Sequence, residues 1–306
     1  MRWSVHECTT FRWSFEEDVR QYSRLGIPAL GAWRHKLSDY EIDFVAEILR
    51  EHELRVSSVS WAGGFTGSDG RSFEESVVDA RVAVQTAARL GADTVVVYTG
   101  SRGHHTLNHA KRLFRLAVDQ LRPYAEEFGV ALAIKPVYPR SAEDFTFLDS
   151  THQLLDLLDT MDTPVVRMAF DTYHLGWVPE LLDDLKNLVP YIAVVRIGDG
   201  HHPPAQEQNH CPLGMGAVPL RYIVEQLAEG GYRGFHEVYL LGESLEGIEY
   251  GSLLLHAKEM IAQLARYSDV FAGSETSVQR QAPEGPVLGV GSSRDGMAIE
   301  QEADEV

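Results

Sequence analysis

Four short apolar runs in this 306-residue chain each end in a charged residue. They are Ala133-Ile134-Lys135-Pro136, Phe170-Asp171-Thr172-Tyr173-His174, Val195-Arg196-Ile197-Gly198-Asp199 and Phe235-His236-Glu237-Val238. If the four runs are neighbouring strands of a barrel, Lys135, Asp171, Arg196 and Glu237 converge on one pocket. Two cations would then face two carboxylates. Other run ends are similarly loaded: His6 and Glu7, Trp33 to His35, Trp61 to Phe65, Tyr98 with Arg102, His104 and His105, then Tyr138, His201 and His202. Aromatic plates beside charged and imidazole groups suit a polyhydroxylated ligand, whose C–H faces pack on rings while its hydroxyls take hydrogen bonds. Taken singly, His35, His104, His105, His201 and His202 read as solvated loop residues.

Such a cluster needs a scaffold that brings distant strand ends together. Apolar β runs and helix signals alternate eight times. The strands are expected at Arg2–His6, Pro28–Trp33, Arg55–Trp61, Thr94–Tyr98, Val130–Lys135, Val166–Asp171, Ile192–Ile197 and Gly234–Tyr239. Ser14 with Glu17, Ser38 with Glu41 and Ser72 with Glu75 read as capping boxes that start helices. Gly26, Gly91, Gly129 and the Gly230-Gly231 pair read as stops. Eight β–α repeats with Val-, Ile- and Ala-rich strands imply a parallel sheet, and eight strands close a (β/α)8 barrel. A doubly wound open sheet would want a Gly-rich turn after its first strand, and His6-Glu7-Cys8-Thr9-Thr10 is not one. The last helix is expected from about Leu245 to Arg266. Residues 1–267 then form one domain, and residues 268–306 read as a disordered acidic tail.

Composition narrows the function. The net charge is −18, of which the tail supplies −6. The remaining −12 opposes a nucleic-acid face and an anionic membrane surface, because both need clustered cations. No run approaches the roughly 18 apolar residues of a membrane span. The N-terminus lacks the pattern of a signal peptide, and two cysteines, Cys8 and Cys211, cannot build a disulfide framework. A reducing cytoplasm is the expected location, with a Cys8–Cys211 redox pair left open. Nothing in the sequence decides for or against a homo-oligomer.

Three of these segments carry a resemblance. Phe170-Asp171-Thr172-Tyr173-His174, Pro212-Leu213-Gly214-Met215-Gly216-Ala217-Val218-Pro219-Leu220 and Gly234-Phe235-His236-Glu237 resemble the sugar phosphate isomerase/epimerase family of xylose isomerase-like TIM barrels. That group includes ketose epimerases, hydroxypyruvate isomerase, inosose dehydratase and endonuclease IV. The resemblance spans about Met1 to Arg266. It implies a divalent manganese, magnesium or zinc ion held by Glu, Asp, His and Glu at the ends of strands five to eight, the two Glu residues also being the acid/base pair.

Here Asp171 matches the Asp and Glu237 the last Glu. Lys135 stands where the first Glu is expected and Arg196 where the His is expected. His210 stands where an Arg often contacts substrate. Lys and Arg cannot ligate a cation while protonated. The family set is formally −3 against a +2 ion, whereas Lys, Asp, Arg and Glu sum to zero. No cofactor is therefore expected, and two cations are expected to replace the ion in a salt-bridged quartet. A metal held instead by Asp171 and Glu237 with help from His174, His210 or His236 is the competing expectation, although strand alternation points His236 away from the lumen.

The resemblance implies an enzyme acting on a small sugar, polyol or keto acid. Glu237 would be the general base, with Lys135 and Arg196 facing an enediolate or alkoxide. His174, Asp199, His210, Trp61, His6 and Tyr98 would contact substrate. A Schiff base on Lys135 would turn the chemistry towards aldol cleavage or dehydration. A non-catalytic sugar-binding relative or inactive partner subunit is the alternative. A DNA-repair role fits neither the ligand set nor the charge.

Overall fold

The computed structural model describes residues 1–139, 145–148, 150–161, 163–205 and 208–272. Eight parallel strands close a barrel in sequence order. They are β1 (Arg2–His6), β2 (Ala29–Trp33), β3 (Arg55–Gly63), β4 (Thr94–Tyr98), β5 (Ala131–Ile134), β6 (Val166–Asp171), β7 (Ile192–Ile197) and β8 (Phe235–Val238). The helices are α1 (Phe15–Leu25), α2 (Arg34–Leu37), α3 (Ile42–Glu51), α4 (Phe73–Arg89), α5 (Leu107–Phe128), α6 (Thr151–Met161), α7 (Thr172–Leu175), α8 (Pro179–Asp183), α9 (Leu185–Leu188), α10 (Leu220–Glu229) and α11 (Tyr250–Ala272). Every expected strand is present within two residues at either end. None of the helices is long and apolar enough to cross a membrane among the described residues.

Strand alternation sorts side chains into two layers. Residues such as Val5, Leu30, Val95, Leu132, Phe170 and Val195 face outward into the helix layer. Ala29, Val96, Ala133, Ala169, Val194 and Phe235 fill the lumen as a separate small cluster. The next inward positions, one step towards the C-terminal ends, are polar. Register places them side by side: Asp171 pairs with Arg196, Arg196 with Glu237, and Glu237 with Ser4.

Two boundaries differ from expectation. Ser38 does not cap a helix. Its backbone continues the α2 turn in the right-handed region, its hydroxyl donates to His35 O at 2.8 Å, and Glu41 precedes α3 instead. An N-cap needs extended backbone, which Ser14 and Ser72 have, and Ser72 with Glu75 forms the full reciprocal box. The last helix begins at Tyr250, after a short turn at Glu243–Leu245, and runs to Ala272, beyond the expected boundary at 267. From residue 273 onward, the expected acidic tail lies outside the described residues.

Candidate active site

The four strand-end residues meet as the sequence suggests, but in a closed cluster rather than an open pocket. Lys135 Nζ lies 2.7 Å from Asp171 Oδ2, and Arg196 Nε donates to Glu237 Oε1 at 3.0 Å. All four side chains are at most 1% exposed. Tyr239 covers them, with its ring centroid 4.7 Å from Lys135 Nζ and 4.3 Å from the Arg196 guanidinium carbon. Burial opposes the charge on Asp171, yet the Lys135 ammonium holds its carboxyl well below the usual carboxylate range. For Arg196 burial is likewise outweighed, by the Glu237 carboxylate, and the guanidinium is held above its ordinary value.

Serines complete the cluster. The register between β2 and β3 slips, so that Leu30 faces Val56 but Gly31 faces Ser58. Ser57 is the extra residue of this bulge, and both serines turn towards the lumen. Ser57 and Ser58 each donate to Glu237 Oε2 at 2.7 Å, and Arg196 Nη2 donates to Ser60 Oγ. Gly31 makes room for this arrangement. A Cβ there would lie 2.4 Å from Glu237 Oε2 and 2.6 Å from His6 Cδ2. Gly31→Ala should therefore destabilise the fold by about 1–3 kcal/mol through overpacking, read as a lower urea midpoint with an unchanged slope.

The other expected site residues fall into three places. His6, His174 and His210 lie buried beside the quartet. His6 Nδ1 accepts from Cys8 N at 3.1 Å, and its ring meets Tyr239 edge-on. His174 Nδ1 accepts from Tyr138 N at 3.2 Å, and its Nε2 lies 3.1 Å from the Gln208 amide. His210 stacks on Tyr173 with centroids 3.7 Å apart. Burial is the main cause that lowers all three imidazoles, His174 to about 3 and His210 to about 4. Trp61 and Tyr98 form a rim: Trp61 is 41% exposed, stacks on Trp33 and meets Tyr98 edge-on.

Asp199 has a different place. Its oxygens accept from the amides of Gly200, Gly214, Gly216 and Val218 at 2.8–3.2 Å. Four donors fill the lone-pair positions of a carboxylate, so Asp199 shapes the loop before α10 rather than presenting an oxygen to a substrate. His236 faces outward and packs edge-on against Tyr232.

A second buried polar network stands behind the rim. Glu7 Oε2 accepts from Trp33 N at 2.7 Å, Asp18 is bonded by Lys36 and by Thr10 Oγ1, and Thr10 also bonds Tyr22. Burial drives both carboxyl groups up, Asp18 to about 6. Folded, the pair holds a proton that an unfolded chain releases near pH 4. The resulting stability is complete below that pH and is lost as pH rises through about 6. Glu7→Gln keeps an acceptor for the Trp33 amide without the titration. The stability difference between parent and variant should shift in the variant's favour from pH 5 to pH 7, followed by urea unfolding. Glu7→Ala leaves the Trp33 amide without its acceptor and should cost about 1–3 kcal/mol.

Residues 19–245 match the model of the xylose isomerase-like TIM barrel family. The chain belongs to this family. A Sinorhizobium meliloti protein of known structure is 25% identical, with a TM-score of 0.78 over 86% of this chain and 98% of its own. The zinc-bound IolI protein is 18% identical at TM-score 0.76, covering 87% and 99%. The D-allulose 3-epimerase of a Methylomonas species, solved with D-allulose, is 16% identical at TM-score 0.69, covering 86% and 96%. At such identities the last two show the shared barrel alone. A Danio rerio protein provisionally named hydroxypyruvate isomerase is 25% identical over 111 residues, 35% of this chain and 37% of that one.

The xylose isomerase-like barrels are expected to hold a divalent ion at these strand ends, and the residues here do not fit one. A cation side chain stands at each of the two positions where the resemblance expects a ligand, and it engages an oxygen of each carboxylate. Among the described residues no group of three His, Cys, Asp or Glu side chains is spaced to ligate a metal. Cys8 and Cys211 are buried free thiols.

Sequence reasoning did not single out Ser57, Ser58, Ser60 or Gly31, nor Tyr239 as a cover. A signal was present for the serines. Their run, Ser57-Ser58-Val59-Ser60, is polar where the other strands carry Val or Ala.

Proposed function

We propose that this protein is an isomerase-like enzyme for a small sugar, polyol or keto acid that works without the divalent ion of its relatives. Lys135 and Arg196 supply the positive charge, and a proton moves between adjacent carbons of a hydroxy-carbonyl substrate. The observation that carries this reading is the pairing of Lys135 with Asp171 and Arg196 with Glu237, a neutral set at the strand ends where the family places its ion. Arg196 Nη1 and His6 Nε2 are buried and make no hydrogen bond with the described protein groups, which leaves donors for a developing oxyanion. The test is turnover of hydroxypyruvate, L-ribulose and D-allulose by protein treated with a chelator, with and without added manganese. Turnover in the chelator supports the reading, and turnover that depends on manganese ends it.

One observation favours a second reading, a binding protein without catalysis. The quartet is buried, its two cations lie against the Tyr239 ring, and its charges are internally neutralised. On that reading the Trp33, Trp61 and Tyr98 rim holds a sugar and the quartet only supports the barrel. Saturable quenching of tryptophan fluorescence by the same compounds, without turnover, distinguishes the two.

A further inference from the structure

We propose that His210, rather than Glu237, carries the proton in this site. The assignment rests on the enzymatic reading above. Glu237 is badly placed to exchange protons. One oxygen receives Arg196 Nε, and the other receives the hydroxyls of both Ser57 and Ser58. Protonating it would strand a buried guanidinium. Asp171 is bound to Lys135 through Oδ2 and to the Tyr173 amide through Oδ1.

The three histidines differ in which nitrogen is free, and backbone contacts decide it. His6 Nδ1 accepts the Cys8 amide, so its proton is on Nε2 and it can only donate there. His174 Nδ1 accepts the Tyr138 amide, so its proton is on Nε2, and the Gln208 carboxamide beside it turns its oxygen to accept that proton. His210 Nδ1 lies 2.7 Å from Leu241 O and 3.2 Å from Leu241 N. A lone pair cannot sit 2.7 Å from a carbonyl oxygen without a proton between them, so Nδ1 carries the hydrogen and the longer approach of the amide is incidental. The lone pair of His210 is therefore on Nε2. That atom is buried and has no protein partner among the described residues. Gly198 leaves space for it: a Cβ there would lie 2.8 Å from His210 Cδ2 and 3.0 Å from Nε2. The ring is held by its stack on Tyr173, and burial keeps it neutral at pH 7. It is a base with its lone pair unused, in a cluster whose two carboxylates are each ion-paired to a cation.

The step follows. The substrate carbon beside the carbonyl gives its proton to His210 Nε2. The C–H electron pair becomes the C=C bond of an enediolate, and the carbonyl oxygen takes the negative charge opposite Arg196 Nη1 and His6 Nε2–H. The imidazolium returns the proton to the neighbouring carbon, while the hydroxyl proton passes between the two enediolate oxygens. A single base serves both carbons, so the reaction is an isomerisation and not a two-base epimerisation. Some of the hydrogen removed should reappear in the product.

The experiment uses the full chain in chelator, with hydroxypyruvate, L-ribulose and D-allulose in deuterium oxide, followed by proton NMR. The parent should exchange the hydrogen next to the carbonyl of at least one of them and carry part of it to the adjacent carbon. His210→Gln should lower kcat for exchange by about 100-fold or more, with KM held within about threefold because ground-state contacts remain. Gly198→Ala, whose Cβ would meet the ring at 2.8 Å and the Tyr239 carbonyl oxygen at 2.9 Å, displaces the ring without changing its chemistry and should also lower kcat. It takes the place of H210Q if that variant lacks a melting transition. Exchange at the parent rate in folded H210Q or in G198A overturns the His210 assignment and leaves the enzymatic reading intact. A parent that exchanges none of the three compounds overturns both.

Discussion

Arg196→Met should lower the free energy of unfolding by roughly 3–5 kcal/mol, the range for breaking a buried ion pair from one side. The cost is not the lost contact itself. Glu237 would remain at the centre of the barrel, wholly buried, with only two serine hydroxyls against its charge. Ser60 would lose its guanidinium partner as well. Lys135→Met should behave alike, since Asp171 would keep only the Tyr173 amide. The companion variant separates pairing from packing. Replacing Arg196 and Glu237 together with apolar residues of similar volume removes both charges, and such exchanges are often neutral. A double-mutant cycle in urea at pH 7 should therefore return a large coupling between positions 196 and 237. A loss below about 1 kcal/mol in the single variant would place the pair among weak, solvated bridges and remove the electrostatic core of the functional proposal.

The barrel was legible because its signals are local and redundant. Most strands are short Val-, Ile- or Ala-rich runs, and glycines where the chain turns left-handed follow several helices, as at Gly26 and Gly129. Eight repeats leave one closed parallel arrangement. The convergence of Lys135, Asp171, Arg196 and Glu237 followed from strand order alone, because neighbouring strands bring their ends together whatever the loops do.

What the sequence hid depends on register and on loops. Ser57 and Ser58 both reach Glu237 only because the β2–β3 pairing slips by one residue, and a bulge leaves no periodic trace. Asp199 read as a substrate contact because it matches a family Asp three residues past Arg196. Its carboxylate is instead taken by amides from Gly214 to Val218, residues whose fold around it no spacing rule foretells. Ser38 failed as a cap for a similar reason: the short α2 turn continues through it. Whether a cluster is open or covered is also a tertiary matter. It hangs here on Tyr239, one residue past β8, lying across two cations from different strands.

Lys135→Glu with Arg196→His should create a divalent-ion site that the parent lacks. The double change releases Asp171 Oδ2 and Glu237 Oε1 from their present cations and adds one carboxylate and one neutral imidazole. The set becomes formally −3, in the mixed oxygen and nitrogen donor class that suits manganese or zinc. Each single change should do much less, because one fixed cation would remain beside the ion and keep one carboxylate occupied. Metal content after dialysis against manganese reads the result directly. Stability gives a second reading: an ion that binds only the folded chain adds about 2.7 kcal/mol at a hundredfold excess over its Kd, so the double variant's melting temperature should rise with manganese and the parent's should not. Stoichiometric manganese in the unmodified protein would contradict the ion-for-cation exchange at its root. A folded double variant that gains no ion would show instead that Tyr239, Ser57 and Ser58 have reshaped the cavity beyond what two side chains can restore.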